Sequence, residues 1–541
     1  MKHLNKIFLL ALATMVPMAA CDTDELHNRN NNPQASVTIP MEYLFTAAQL
    51  GTASGGTAGD NRYIDWRTNI GFASYAIQHL ATAGTQGGIF PGERYTDNVE
   101  SYNAPWEFIY GDQLKNLAEV LRQTTDDGND AGKVNLRQAA RVVKVFNFHR
   151  LTDYYGNIPY TQALQGLNDI LLPEYDTQDV IYADLLKELE EAAAAFKTFD
   201  QADGNDVAFA RADLYYDGNI NQWKRFAYSL MLRLAMRVAE VAPDMADEYV
   251  AKAVAGGVFT SNLDNVWLGM SVGPSEWTNQ NGISRAFASG DGGQPTTLSE
   301  TFINELKGPN TGSTVDDDPR LNVLNGGIDG NRDPLAQRGL KNGLDQRLLN
   351  IQEGVPDDEG VNVSETFSAM NQELLQDDDP YLLMNYAEVA LLLAEASERG
   401  IGGLTSATTE DYYKAGVAAA MQMYIPFGSD DDPMVVTPAQ VTAYFAAPER
   451  ALPVSSEDRL ERIGTQLWLS QFLNWWEAWS NWRRTGYPEL TPVNYQGNVT
   501  GGTIPVKLRY PNQEIATNPN YEAGATLPNT PTTKVWWDVV D

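Results

Sequence analysis

The sequence predicts a mainly α protein, a tetratricopeptide-like scaffold of helix pairs that carries a large irregular, loop-rich lobe. Apolar residues recur at helical spacing over most of the chain, as in residues 135–155. Short turns separate consecutive helical patterns, as in helical solenoids, although no clean period of about 34 residues is present. Between Gly256 and Pro380 the helical pattern is lost, and Gly, Asn, Asp and Pro become frequent.

Each helix is predicted from its own apolar pattern and its own stop signal. The main ones are predicted at 135–155, 178–199, 219–243, 245–257, 381–400, 408–425 and, as a single last helix, from about Glu457 to Arg484. Residues 381–400 are apolar nearly all round, which is typical of a central buried helix. One domain, 36–541, is therefore expected, and its parts are a helical scaffold at about 36–255 and 380–484, a ligand lobe at about 256–380, and an irregular segment at 485–541.

The N-terminus has the pattern of a bacterial lipoprotein signal peptide. Lys2 and Lys6 precede a short apolar run that ends in small residues and Cys21, the only cysteine. We expect residues 1–20 to be removed and Cys21 to be acylated, followed by a flexible tether at 21–35. The alternative is cleavage elsewhere, with Cys21 left as a free thiol. No later run of 18 apolar residues predicts a transmembrane helix.

Composition excludes several functions. The formal charge is −33, and loss of Lys2 and Lys6 would take it to −35, so the surface would repel nucleic acid. One cysteine permits no disulfide within the chain, and one cysteine with four histidines makes no Cys/His zinc site. No P-loop, dinucleotide fingerprint or complete EF-hand is present.

No catalytic constellation is visible either. Residues 269–273, GMSVG, match the nucleophile-elbow pattern, but no histidine follows His149, so the Ser–Asp–His order cannot be met. We therefore expect no enzyme activity and no cofactor. Acidic runs at 316–318, 357–359, 377–379 and 430–432 leave open a structural calcium ion, although such runs are more often solvated loops.

Aromatic and amide residues in the loops are the candidate ligand-binding residues. Flat rings stack on sugars or peptide side chains, while amides and arginines fix the orientation of the ligand. The first loop offers Phe90, Tyr95, Tyr102 and Trp106, and the long middle region offers Trp267, Trp277, Asn279, Asn281, Arg285 and Phe287. The alternative for each is a small core beneath a long loop.

The tryptophan-rich stretch FLNWWEAWSNWRRTGYPEL at 472–490 is predicted to be core. Trp475, Trp479 and Trp482 lie at helical spacing and extend a stripe from Trp468, which is one face of a helix. Trp476 lies off this stripe, so we expect it at the edge of the buried face.

Several segments resemble one known family. The stretch 472–490, LTDYYGNIPYTQAL at 151–164, NINQWKRFAYSLMLRLAMR at 219–237, DDPRL at 317–321, MNYAEVALLLAEASERG at 384–400 and LRYPNQEIATNPNYEAG at 508–524 are similar, in order, to the SusD/RagB family of Bacteroidetes surface lipoproteins. The similarity is to the SusD-like type two branch. It implies four tetratricopeptide helix pairs with a loop-rich binding lobe, and it carries over no ligand residue.

The resemblance also implies a function. The expected protein is a lipid-anchored, outward-facing lid on a SusC-like TonB-dependent outer-membrane transporter, which captures a nutrient for import. Acids at Asp22, Asp24 and Glu25 resemble the signal that exports such lipoproteins to the cell surface. We favour a glycan over an oligopeptide as the ligand. A surface hydrolase and an adhesin are the less favoured alternatives.

Overall fold

The computed structural model describes residues 39–54, 63–84, 90–273, 279–288, 295–310, 312–356 and 359–540. The predicted signal peptide, Cys21, the tether and Trp277 lie outside these residues. Because 56% of the chain is helical and the described strands have two to four residues, the mainly α class is confirmed. No described helix is both long and apolar enough to cross a membrane.

The first half of the scaffold is a succession of helices. They are α1 (Met41–Ser54), α2 (Pro91–Arg94), α3 (Val99–Phe108), α4 (Lys115–Gln123), α5 (Val134–Tyr155), α6 (Gln178–Ala195), α7 (Gly204–Ala212), α8 (Ile220–Arg237) and α9 (Pro243–Gly256). Two π-helical stretches, Asp65–Ser74 and Ile109–Leu114, lie among them. Asn219 caps α8 by accepting the backbone N–H groups of Asn221 and Gln222.

The middle region contains short elements. They are β1 (Val266–Leu268), α10 (Gly282–Phe287), α11 (Glu300–Lys307), α12 (Leu321–Leu324), β2 (Asn325–Gly327), α13 (Gln346–Glu353), α14 (Val363–Thr366), β3 (Ala369–Met370) and β4 (Tyr381–Met384). Strand β1 pairs with β4 and β2 pairs with β3, both antiparallel. Because β4 directly precedes the second half of the scaffold, its pairing with β1 brings the two ends of the middle region together.

The second half of the scaffold consists of α15 (Tyr386–Arg399), α16 (Thr409–Gln422), α17 (Pro438–Ala446), α18 (Ser456–Ser470), α19 (Trp475–Thr485), α20 (Asn512–Thr517) and α21 (Tyr521–Gly524). Helix α15 is buried along nearly its whole length, as its apolar pattern predicts, and Gly400 ends it in the left-handed conformation. The prediction that this helix begins at residue 381 is wrong, because Tyr381–Met384 form β4. The described helices pack on one another, and the packed pairs include α1 with α4, α5 with α6, α8 with α9, and α15 with α16.

The single last helix predicted from Glu457 to Arg484 is wrong. The chain forms α18 and α19, separated by a turn in which Leu473 takes φ 78°. This turn changes the direction of the tryptophan stripe, so Trp468 and Trp476 are both fully buried. The core prediction for the stretch is therefore confirmed for Trp475 and Trp479, whereas Trp482 is partly exposed and the edge position predicted for Trp476 is wrong.

A buried network of charges joins the scaffold helices. Arg233 on α8 donates to Glu388 on α15 through Nε at 2.6 Å and Nη2 at 2.7 Å. Arg237 donates to Glu477 on α19, and Trp537 Nε1 donates to Asp153 on α5 at 2.9 Å. All of these side chains are almost completely buried, and each charged one has an opposite charge as a partner.

Candidate functional site

The candidate site is a cleft where four distant parts of the chain meet. Its volume is about 430 Å³, and it is lined by Gln78, Glu300, Thr301, Lys341, Asn342, Gly343, Leu344, Leu348, Thr491, Pro492, Val493 and Asn494. One wall comes from the turn that follows the first π-helical stretch. The others come from the start of α11, from the loop before α13 with the first turn of that helix, and from the C-terminal segment. Loop residues on a rigid helical scaffold are the usual position of a binding site.

Gln78 holds three of these walls together. Its Nε2 donates to the Thr491 carbonyl at 2.6 Å, and its Oε1 accepts from Thr301 Oγ1 at 2.7 Å. Its own carbonyl accepts a hydrogen bond from Ser299 Oγ. The backbone of Gln78 is left-handed, with φ 58°, a conformation that costs free energy for a residue other than glycine. The surrounding hydrogen bonds fix this backbone and with it the floor of the cleft.

Gly343 forms the sharp turn of the cleft floor. Its φ is +85°, and a Cβ atom at this position would lie 2.4 Å from Cγ1 of Val493. A side chain would therefore both strain the backbone and displace the C-terminal wall. The glycine allows the loop before α13 and the C-terminal segment to approach closely.

Glu93 is buried beneath the cleft. One carboxylate oxygen accepts from the Gly343 N–H at 2.7 Å, and the other accepts from Asn342 Nδ2 at 2.7 Å. Burial raises the pKa of Glu93 to about 8, against the smaller, opposite effect of these hydrogen bonds and of Arg94. The Arg94 guanidinium donates to the Leu344 carbonyl at 2.6 Å, so α2 holds the same loop from a second side.

We expect Glu93→Gln to remove one component of the pH dependence of stability. Because the folded pKa, about 8, lies above the ordinary value of 4.5, this carboxyl stabilises the fold fully below pH 4.5, and the contribution is lost as the pH rises through 8. The amide variant resembles the protonated acid and does not titrate. Melting temperatures from pH 5 to pH 9 should show the wild type losing stability relative to the variant. A constant difference across this range would contradict the assignment.

The exposed rim of the cleft is polar and carries both signs of charge. Glu300, Lys341, Thr491 and Asn494 are exposed, while Gln78 and Val493 below them are buried. Hydroxyl, amide, ammonium and carboxylate groups offer hydrogen-bond donors and acceptors in a concave space of ligand size. Such a surface suits a ligand rich in hydroxyl or amide groups.

Five of the predicted ligand residues are core residues in this structure. Phe90, Tyr95, Tyr102, Asn281 and Phe287 are each at least 92% buried. The Tyr95 hydroxyl accepts from the Val493 N–H at 3.1 Å, and Asn281 caps α10 by accepting from the backbone of Ile283 and Ser284. The sequence pattern predicts binding loops at these positions. In the structure, the rings and the amide instead hold the two loops against the scaffold. In this conformation they offer a ligand almost no surface.

The other predicted residues are distributed elsewhere. Trp267 on β1 is partly exposed and meets Phe427 edge-on at 5.8 Å, and Asn279 and Arg285 are also partly exposed. None of them lines the cleft. Trp106 packs among tyrosines, with Tyr155 edge-on at 5.1 Å. A ligand role for Trp267, Asn279 and Arg285 stays a prediction, and Trp277 lies outside the described residues.

Two aromatic residues that the sequence did not single out, Tyr63 and Phe108, line a second pocket, and Trp66 lies close to it. Tyr63 stacks on Phe108 with ring centres 5.6 Å apart and an angle of 17°, and Trp66 lies 6.2 Å from Tyr63. Tyr63 and Phe108 line a cavity of about 380 Å³ with Arg67 and Asn103, among others. All three rings are partly exposed. A surface aromatic pattern that spans two helical segments leaves no local signal in the sequence.

The described residues contain no arrangement that resembles a metal site or a triad. Ser271 of the GMSVG stretch donates its Oγ to the Gly273 carbonyl at 2.9 Å. The histidines within the described ranges, His79 and His149, are fully buried. In those ranges no three His, Cys, Asp or Glu side chains are placed to hold a metal ion. Asp318 and Asp432 of the acidic runs pair with Arg320 and Arg332, each at 2.6 Å.

Comparison with solved structures finds the same fold in several proteins. A chitin-binding protein is 32% identical, with a TM-score of 0.76 and an alignment that covers 93% of this chain and 100% of that chain. The Bacteroidetes AC2a SusD-like protein is 28% identical, with the same TM-score and coverage. A chitin-binding SusD homologue from Flavobacterium johnsoniae, 22% identical, has a TM-score of 0.68 over 93% of this chain and 99% of that chain.

The sequence comparison agrees with the structural one. The profile of the SusD-like family, described as starch-binding and associating with the outer membrane, matches residues 31–511. No curated protein matches the chain. A match across nearly the whole chain, together with the 32% identical structure, shows that the chain belongs to the SusD-like family of outer-membrane-associated proteins.

Proposed function

We propose that this protein binds a neutral glycan at the cell surface and delivers it to a SusC-like TonB-dependent transporter, for which it acts as the lid. The observation that carries the proposal is the match to the SusD-like family over residues 31–511, together with a chitin-binding protein 32% identical over 93% of the chain. The cleft supports it because its rim offers polar groups suited to sugar hydroxyl and acetamido groups.

Electrostatics favours a neutral over an acidic ligand. The formal charge of −33 makes approach of an anionic polysaccharide unfavourable at low salt. The chitin-binding protein among the similar structures supports binding without hydrolysis. An oligopeptide remains the alternative ligand because backbone amides meet the same donors and acceptors.

Ligand binding is tested by titrating the purified protein with chito-oligosaccharides, malto-oligosaccharides and a peptide mixture. We expect binding of a glycan with an affinity in the micromolar to millimolar range, a free energy of about 4 to 8 kcal/mol. Lys341→Ala with Asn494→Ala should weaken it at least tenfold, since both side chains are on the cleft rim. Lys224→Ala is the matched control, because Lys224 lines another cavity of similar size, about 370 Å³.

Three outcomes would change the proposal. Binding of peptides alone would assign the oligopeptide alternative. Release of shorter products during the titration would make the protein a hydrolase. If the variant Lys341→Ala with Asn494→Ala still binds the glycan but Tyr63→Ala does not, the binding site is the second, aromatic pocket.

The lid function requires a membrane anchor and a transporter partner. We propose that Cys21 carries the lipid and that the protein faces the cell exterior; Cys21→Ser should then release the protein from the membrane fraction. Purification of the wild type from its outer membrane in mild detergent should bring a large TonB-dependent barrel with it. A protein that elutes alone would contradict the lid model and favour a free receptor or an adhesin.

A further inference from the structure

An unusually apolar loop lies between α5 and α6, on the scaffold and apart from the ligand cleft. Within residues 161–173, here called the leucine loop, four leucines are exposed to solvent: Leu164 by 37%, Leu167 by 80%, Leu171 by 78% and Leu172 by 50%. Single exposed leucines are normal on a protein surface, but a cluster of this kind marks an interaction site.

The leucine loop is held in place by its neighbours. The backbone N–H and the hydroxyl of Thr161 donate to Asp176 at 2.7 and 3.0 Å. Asn520 Nδ2 donates to the Leu172 carbonyl at 2.9 Å, and Asn518 Nδ2 donates to the Pro173 carbonyl at 3.0 Å. The leucines are therefore presented on a fixed backbone, which lowers the entropic cost of binding a partner.

An apolar groove continues the surface of the leucine loop. The groove has a volume of about 540 Å³, and its lining includes Leu44, Lys115, Arg122, Leu164 and Leu167. Leu164 and Leu167 belong to both features, so loop and groove form one surface. The aliphatic parts of Lys115 and Arg122 widen the apolar area while their charges stay at its edge.

This surface lies where the chain enters the scaffold. Leu44 is in the first turn of α1, and its neighbours Ile39 and Tyr43 are 49% and 69% exposed. Cys21 precedes Ile39 by 18 positions. A segment of that length spans at most about 65 Å and, as a flexible chain, about 23 Å on average. A lipid on Cys21 would therefore keep this face near the membrane and near any barrel embedded in it.

Both signs of charge surround the surface, which favours a protein over a lipid partner. Asp169, Glu174 and Asp179 are exposed on or beside the leucine loop, while Lys115 and Arg122 line the groove. A lipid surface presents one sign of charge, whereas a protein surface can pair with both. Polar residues such as Asn168 separate Leu164 and Leu167 from Leu171 and Leu172, a pattern of separate anchors that suits pockets in a protein surface.

We propose that the leucine loop and the adjoining groove dock onto the exterior rim of the transporter barrel, through apolar pockets flanked by charged residues of both signs. The proposal rests on the lid function proposed above and adds the surface that holds the two proteins together. Docking and ligand binding then use separate residues, since no residue of the loop or groove lines the cleft.

The test is Leu167→Ser with Leu171→Ser in the full-length lipoprotein, purified from its own outer membrane in mild detergent. We expect recovery of the barrel to fall at least tenfold, while the melting temperature and the glycan affinity stay unchanged. Both side chains are mostly exposed, so the fold does not depend on them. Leu263→Ser with Val454→Ser is the matched control, because these residues are 86% and 95% exposed elsewhere and should leave barrel recovery unchanged.

Each contrary result has a distinct meaning. Undiminished barrel recovery with the leucine-loop variant would overturn the docking surface and leave the lid function standing. Recovery of no barrel by the wild type would overturn the lid function and the docking surface together. If the unlipidated wild type floats with phosphatidylethanolamine–phosphatidylglycerol vesicles and the variant does not, the surface binds lipid and the proposal is wrong.

Discussion

Glu388→Ala is expected to lower the free energy of unfolding by about 3 to 5 kcal/mol, as removal of one partner from a buried ion pair typically does. Glu388 accepts two hydrogen bonds from Arg233 and one from Gln471 Nε2 at 2.9 Å. Without this carboxylate, the Arg233 guanidinium stays in the core with Glu477 as its remaining partner, 3.8 Å away. Urea unfolding at neutral pH, with equal slopes for both proteins, measures the loss.

Two further variants separate the buried ion pair from a general effect of removing acids. Glu410→Ala breaks the exposed pair with Lys414 and should leave the unfolding midpoint unchanged, because solvent screens that pair. Arg233→Met combined with Glu388→Leu should recover much of the loss, because no unpaired charge is then buried. A loss from Glu388→Ala as small as that from Glu410→Ala would contradict the role assigned to the network.

The same network explains why the fold could be predicted from the sequence. Asp153, Arg233, Glu388 and Glu477 each lie in one of the segments that resemble the SusD/RagB family. Their side chains meet in the core and join α5, α8, α15 and α19. The resemblance therefore rests on residues that build the scaffold. It predicts the scaffold well, but it says nothing about the ligand.

The candidate site could not be predicted in this way. Gln78, Glu300, Lys341 and Asn494 lie far apart in the chain and belong to common polar types with no spacing between them to detect. The loop aromatics attracted attention because rings bind ligands, but rings also anchor loops. Tyr95 shows this, since its hydroxyl and its backbone carbonyl both accept hydrogen bonds from the C-terminal segment. Burial decides between the two roles, and burial depends on tertiary contacts.

The break between α18 and α19 has a similar cause. No glycine or proline lies between Ser470 and Trp475, and the helical spacing of the tryptophans continues through the turn. The break is fixed from outside: Asn69 Oδ1 accepts the Trp476 N–H at 3.0 Å, and Asn69 Nδ2 donates to the Leu473 carbonyl at 3.1 Å. Helical periodicity alone cannot reveal a turn that a distant asparagine stabilises.

Trp476→Ala should lower the free energy of unfolding by about 3 to 5 kcal/mol, the usual cost of removing a large buried ring. Trp476 is fully buried, Phe146 meets it edge-on with ring centres 5.7 Å apart, and the Arg150 guanidinium lies 4.3 Å from the ring centre. The indole therefore fills space between α5 and α19 and covers a buried cation. Alanine would leave a cavity and an arginine without its aromatic neighbour.

Trp482→Ala is the matched control for this prediction, because it removes the same ring from a partly exposed position on the same helix. Its indole Nε1 donates to the Pro488 carbonyl at 3.2 Å, so some stability should be lost, but less than with Trp476→Ala. Urea unfolding of the two variants decides the order. If Trp482→Ala lowers the free energy of unfolding more than Trp476→Ala does, Trp476 belongs at the edge of the core, where helical spacing alone would place it. The turn at Leu473 would then not change the direction of the tryptophan stripe.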